Sequence, residues 1–157
     1  MKRTITVTVE LPMYLKQYLT TVYGPEPIRF PKHSLYNRFL VKASDPFPQK
    51  KSEYHVFGNN LVEIIMPWSH LKDPRTFNYI GYRDQIKLRS EIVSDFNYDF
   101  IRFVKKKLAA GVLRKDATLE FMKSYNIDES HYSFECFYRN YHRRKRRLHV
   151  TIDESDE

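Results

Sequence analysis

The chain predicts an α+β fold, with a small antiparallel sheet and helices in its N-terminal half and a long helix leading into a helical pair in its C-terminal half. Three observations carry that reading. Residues 4–11 alternate apolar and polar side chains, residues 82–110 repeat apolar side chains at three- and four-residue steps, and two further helical patterns with polar starts close the chain.

In residues 4–11, Ile5, Val7, Val9 and Leu11 face one way and Thr4, Thr6, Thr8 and Glu10 the other. Period two in β-branched residues is the mark of a half-buried strand. Pro12 ends it and suits the first turn of a helix. Residues 13–22 carry Tyr14, Leu15, Tyr18, Leu19 and Val22 at helical spacing, and Gly24-Pro25 stops that helix. Pro25, Pro27 and Pro31 break the next stretch into a loop or a short extended segment around Ile28-Arg29-Phe30. Ser34 can cap a helix over residues 35–42. Pro46, Pro48 and Gln49-Lys50-Lys51-Ser52 read as a linker or exposed loop. Residues 54–57 and 61–66, joined by Gly58-Asn59-Asn60, read as a β-hairpin. The strand at residues 4–11 is expected to join that hairpin in one sheet. Pro67 and Pro74 bound a second irregular stretch.

Over residues 82–110 the apolar repeat runs through Val93, Phe96, Phe100, Phe103 or Val104, and Leu108, while Arg83, Lys87, Arg89, Arg102, Lys105 and Lys106 occupy much of the rest. Gly111 is a stop signal. Asp116 is the expected cap of a helix over residues 117–125, with Glu120 near the capping-box position, and Asn126 its end. Asp128 is the expected cap of the last helix, residues 129–147. Asp153, Glu154, Asp156 and Glu157 form an acidic tail. The domain reading is a small α+β domain over residues 1–80, a helical region over 81–150 and the tail over 151–157.

Composition narrows the function. The chain has 157 residues, 41% of them hydrophobic and 15% aromatic, which is enough to build a core. The net charge of +8 and pI near 9.5 favour a polyanionic partner. A single cysteine, Cys136, rules out a disulfide within the chain and fits a reducing compartment. Residues 4–9 alternate where a signal peptide would have an apolar run, and Ile64-Ile65-Met66-Pro67-Trp68 is too short to cross a bilayer. A cytoplasmic location without a membrane partner is therefore expected.

Residues 117–147 have the proportions of helix, short turn and basic helix. Leu119, Met122 and Tyr125 are expected to form one apolar stripe, Phe134, Phe137, Tyr141 and Leu148 the facing one, with Ile127 plugging the gap between them. The opposite face of the last helix carries Arg139, Arg143 and Arg147 at i, i+4 and i+8. Arg144, Lys145 and Arg146 widen that ridge, and His142 lies beside it. Guanidinium forks match phosphate oxygens, and Asn140, Tyr138 and Arg139 are the candidates for base edges. No acidic residue occurs in residues 138–150 to pair with these cations within the helix.

This segment resembles the C-terminal helix-turn-helix modules of DNA-binding proteins, over about a fifth of the chain and without a glycine in the turn. The N-terminus resembles a ribbon-helix-helix. That resemblance implies a strand paired with its dimer mate, Thr4, Thr6 and Thr8 facing DNA, and Arg3 near a phosphate. The proline-rich stretch between its helices departs from the family, and pairing of residues 4–11 with the hairpin inside one chain is the preferred reading. The chain as a whole is similar to proteins of bacterial phages and mobile elements, with short strands first and an Arg/Lys/Tyr-rich helical end.

No catalytic pattern emerges. His33, His55, His70, His131, His142 and His149 are scattered, with no metal-ligand spacing, and no cofactor or metal is expected. Cys136, among Phe134, Phe137 and Tyr138, reads as a small buried thiol. The four glycines form no phosphate loop. Glu53, Glu63, Asp95 and Asp99 offer carboxylates for Mg²⁺-dependent phosphodiester cleavage, but no Glu-x-Lys pattern accompanies them. The expected function is a non-catalytic DNA-binding protein, a transcriptional or mobile-element accessory factor, that meets phosphates through Arg139, Asn140, His142, Arg143, Arg144, Lys145, Arg146 and Arg147. A homodimer suits duplex recognition, although no heptad dictates one. The alternatives are a protein-interaction or structural protein, and an RNA or single-strand binder that stacks bases on aromatics.

Overall fold

The computed structural model describes residues 4–49, 58–130 and 132–153, residues 144–153 by their backbone alone. In chain order the elements are β1 (Thr6–Glu10), α1 (Met13–Tyr23), α2 (Leu35–Ala43), β2 (Ser44–Pro46), β3 (Leu61–Ile65), β4 (Phe77–Ile80), α3 (Tyr82–Ala109), α4 (Arg114–Ser124) and α5 (Phe134–Asp153). The fold is α+β, as its patterning predicts. The chain packs as two units, Met1–Val93 and Ser94–Glu157, and the division falls inside α3. The sequence boundary at residue 80 marks the start of that helix instead.

In the first unit, β1 pairs antiparallel with β3, from Thr6 opposite Ile65 to Glu10 opposite Leu61. The alternation is realised directly: the buried residues Val7 and Val9 stand opposite the buried residues Ile64 and Val62, and such cross-strand pairs are the unit of sheet stability. Pairing within one chain is thus how residues 4–11 enter a sheet. The proline-broken stretch adds one more bridge. Ile28 lies parallel to Ile64, donating its N–H to Glu63 O and accepting from Ile65 N, both at 2.8 Å.

Among the described residues the expectation of one sheet is corrected to two. β2, which runs into the expected linker at Pro46, and β4, where the sequence reading assigns no element, form a second antiparallel pair with a register shift between Asp45 and Pro46. The reason is tertiary. Ser44 and Ile80 stand opposite each other and both are buried, although the segments themselves carry turn residues. Residues 54–57, the first arm of the expected hairpin, lie outside the described residues, as do Lys50, Lys51 and Ser52.

The helices of this unit follow local signals. Gly24 takes a φ of 97° and ends α1 with its N–H on Thr20 O, a conformation that glycine adopts without a Cβ penalty. Ser34 accepts from the Asn37 N–H at 3.2 Å and caps α2. α1 buries Leu15, Tyr18 and Leu19, and α2 buries Tyr36, Leu40 and Ala43. Phe30 stacks on Tyr36 at 4.7 Å and meets Tyr23 edge-on at 5.0 Å. Gln85, buried in the first turns of α3, donates to Ile80 O at 2.9 Å and accepts from the Glu10 N–H at 3.3 Å, joining the ends of β4 and β1.

The second unit is a helical assembly around rings. Phe96, Phe100 and Val104 form the buried stripe of α3. On the first unit's part of α3 the buried positions are Leu88 and Ile92, and the expected Val93 is half-buried. Gly111, at φ 83°, ends α3, and the Val112 N–H returns to Lys107 O at 3.1 Å. That tight turn corrects the expected start of α4. The chain re-enters a helix at Arg114 with Leu113 in the cap position, and Asp116 sits in the first turn, where its charge complements the helix dipole. Leu119 is 43% exposed, and the buried face is Ala117, Thr118, Phe121 and Met122, so Phe121 takes the place expected of Leu119.

Asn126, at φ 53°, ends α4, and Ile127 is buried. The short turn is corrected to a longer link over residues 125–133. Asp128 does not cap α5; its carboxylate accepts from the Ser130 N–H at 2.9 Å and holds a turn. Ser133 receives the Cys136 N–H on its carbonyl at 2.9 Å and α5 begins at Phe134.

Candidate nucleic-acid interface

One face of α5 is committed to the core. Phe137 and Tyr141 are buried, with the Phe137 ring 4.7 Å from Phe100 and 5.8 Å from Phe121. Apolar burial fixes the rotation of the helix about its axis, and the opposite side is then presented to solvent. Arg139 and Arg143 are exposed there. Arg139 reaches Glu135 one turn earlier at 3.4 Å, with both side chains largely in solvent at 66% and 81% exposure. An exposed pair of this kind contributes little and leaves the guanidinium available to other anions.

Two of the expected contact residues are placed differently. Asn140 donates its amide to the Tyr132 hydroxyl and is half-buried, so it faces its own chain. His142 is half-buried as well. Its Nε2 lies 3.1 Å from the Arg114 guanidinium, and its ring meets Tyr138 at 4.6 Å. Guanidinium can only donate, so Nε2 is the acceptor in this contact. Both residues steady α5. Tyr138 is 43% exposed, with its ring held against His142. Arg144, Lys145, Arg146 and Arg147 continue α5, and their side chains, like that of Leu148, lie outside the described residues.

Arg114 is the residue that sequence reasoning missed. At the start of α4, its guanidinium lies 4.8 Å from the Tyr141 ring centroid and 5.5 Å from that of Tyr138 while donating to His142. It clamps α5 to α4 by cation–π contacts, which strengthen when desolvated. No signal near residue 114 points to residues 138–142; only the packing brings them together. On α3, Arg102, Lys105 and Lys106 are exposed as expected, whereas Lys107 is paired with Glu120 and lies over the Phe103 ring.

The remaining candidates are dispersed. Cys136 is half-buried, contrary to the expected buried thiol, because it sits in the first turn of α5, where the Ser133 hydroxyl donates to its sulfur at 3.3 Å. Glu63 and Asp95 are exposed and Glu53 lies outside the described residues. Among the described residues no three of His, Cys, Asp and Glu converge on a point that could hold a metal ion, and no helix is long and apolar enough to cross a membrane. At the N-terminus Thr4 is exposed and Thr6 and Thr8 are half-buried on the strand that pairs with β3, while Arg3 lies outside the described residues.

Burial, and then the nearby charge of Asp99, pushes the Tyr125 hydroxyl above its ordinary range. A raised folded-state value gives a contribution fully present below the ordinary tyrosine value of about 10 and lost as pH rises beyond it. Denaturant melts between neutral and strongly alkaline pH should therefore show the second unit losing stability above about pH 10, and Tyr125→Phe should flatten part of that decline. An identical alkaline decline in the variant would exclude Tyr125 as its source.

No family model matches the chain, and no curated protein or solved structure matches it.

Proposed function

We propose that the protein is a non-catalytic DNA-binding protein that lays the solvent face of α5 against phosphates. The observation that carries this reading is the division of α5 into two faces: Phe137 and Tyr141 sink into the ring cluster, and Arg139 and Arg143 are left exposed in a run, residues 138–150, that contains no acid. A helix rotationally fixed by its core presents cations in a constant geometry, so little ordering is needed when phosphates arrive. The reading rests on this cationic face and not on a short turn between α4 and α5.

The test is fluorescence polarisation with a labelled duplex across a salt series, comparing the natural chain with Arg139→Ala/Arg143→Ala/Arg147→Ala. Each lost phosphate contact lowers the slope of log K against log salt by about 0.9, so the triple variant should lose about 2.7 from that slope. Its affinity at low salt should fall at least about tenfold. Unchanged affinity and slope would remove α5 from the interface. Competition with single strands and structured RNA ranks the nucleic-acid classes.

A further inference from the structure

A second cationic surface is built within the first unit. A cleft of about 890 Å³ opens between α2, the strand end and loop at residues 65–72, and Thr4 and Ile5 just before β1. Phe30, Val41 and Met66 contribute apolar wall. Arg29, Lys32, Arg38 and Lys42 line it, all four are exposed, and none has an acidic partner among the described residues. No acidic residue among the described ones lines the cleft.

Trp68 stands at this cleft, 55% exposed. A large aromatic ring left that open is held in place by a charged neighbour. The Arg75 guanidinium lies over the indole, 5.7 Å from its centroid, and Arg75 is in turn fixed by Asp73, whose carboxylate accepts from Arg75 Nε at 2.9 Å. That pairing pulls the Asp73 carboxyl below its ordinary range, through the side-chain hydrogen bond first. The wall is fixed too. The Lys72 amine donates to the carbonyls of Lys42 and Ser44, pinning the loop to the end of α2.

We propose that this cleft binds single-stranded nucleic acid, with a base stacked on Trp68 and adjacent phosphates taken by Arg29, Lys32, Arg38 and Lys42. Four uncompensated cations along one groove call for a polyanion rather than a lone anion. The indole and apolar wall add a requirement that an inorganic polyanion does not meet, a flat ring to stack. A duplex keeps its base faces covered by neighbouring bases, whereas a single strand offers them, and a basic groove with an aromatic platform is the arrangement that accepts them. The volume is in the range that encloses a small ligand, so about one or two nucleotides would sit inside and the strand would run out of both ends. The inference goes beyond the duplex reading of α5 and shares no residue with it.

Trp68 is the sole tryptophan of the chain, so its emission reports this cleft alone. The full-length protein is titrated with an unlabelled oligothymidylate about ten nucleotides long, within the span that such grooves cover. Saturable quenching that weakens as salt rises is expected. Arg29→Ala/Arg38→Ala/Lys42→Ala should weaken binding at least about tenfold, and Trp68→Ala, followed with a labelled oligomer, about tenfold, while Trp68→Phe keeps most of the affinity. The three cations are exposed, so the fold should tolerate their loss; circular dichroism checks this, and the salt dependence of the natural chain tests the charge requirement independently. Arg139→Ala/Arg143→Ala/Arg147→Ala should leave the quenching unchanged, which separates failure here from failure of the α5 reading. The proposal is overturned if folded protein shows no quenching at low salt, if heparin, which has no bases, quenches as the oligomer does, or if phosphatidylserine vesicles bind the cleft while the oligomer is ignored.

Discussion

Phe121→Ala should cost the second unit about 3–5 kcal/mol, the range for removing a fully buried aromatic ring. Phe121 has no solvent exposure. Its ring lies 5.2 Å from Phe100, 5.8 Å from Phe96, 5.5 Å from Phe103, 4.5 Å from Tyr125 and 5.8 Å from Phe137. The cavity would therefore open where α3, α4 and α5 meet, and close-packed rings cannot collapse into it without giving up their edge-to-face geometry. Leu119→Ala, on the exposed side of the same helix, should cost far less. Urea melts followed by far-ultraviolet circular dichroism test both; a Phe121→Ala loss below about 1 kcal/mol, the ordinary size of a point-mutation effect, would contradict the packing described. Because Phe121 meets Phe137, the anchor of α5, the same variant should also weaken the DNA binding proposed for α5 without touching a cation.

Ile64→Ala should cost the first unit about 2–5 kcal/mol. Ile64 is fully buried on β3, opposite Val7 of β1 and alongside the bridge to Ile28, so one side chain serves both flanks of the strand. Its chain neighbour Glu63 points the other way and is exposed, and Glu63→Ala should fall within about 0.5 kcal/mol of the natural chain. Trp68 emission in urea reports this unit directly. Equal effects of the two substitutions would mean that the alternation of β3 does not decide its burial.

Much of the helical architecture was legible because its signals are local. Ser34 caps α2 through a hydrogen bond three residues long, Gly24, Gly111 and Asn126 turn the chain through positive φ, and the repeat through Phe96, Phe100 and Val104 identifies the buried face of α3. The alternation of Val7 and Val9 likewise located β1. The placement of α4 was less legible. Asp116 and Asp128 both look like caps, yet Asp116 lies inside the first turn and Asp128 holds a turn of its own, since the turn at Gly111 and the link over residues 125–133 decide where helices can begin.

The candidate sites divide in the same way. The sequence by itself determined the cationic character of α5 and two of its aromatic anchors, Phe137 and Tyr141, because helix periodicity and composition depend on near neighbours, whereas Phe134, expected in the same stripe, is only half-buried. Tertiary structure alone decided that Asn140 faces Tyr132, that His142 takes the Arg114 guanidinium, that β2 finds β4, and that Arg29, Arg38, Lys42 and Trp68 share one cleft. The last three of these join segments far apart in the chain, and the first joins α5 to the link before it, eight residues away. Their pairing is chosen by which surfaces can be buried together with their polar groups satisfied, a condition that no short window of residues contains.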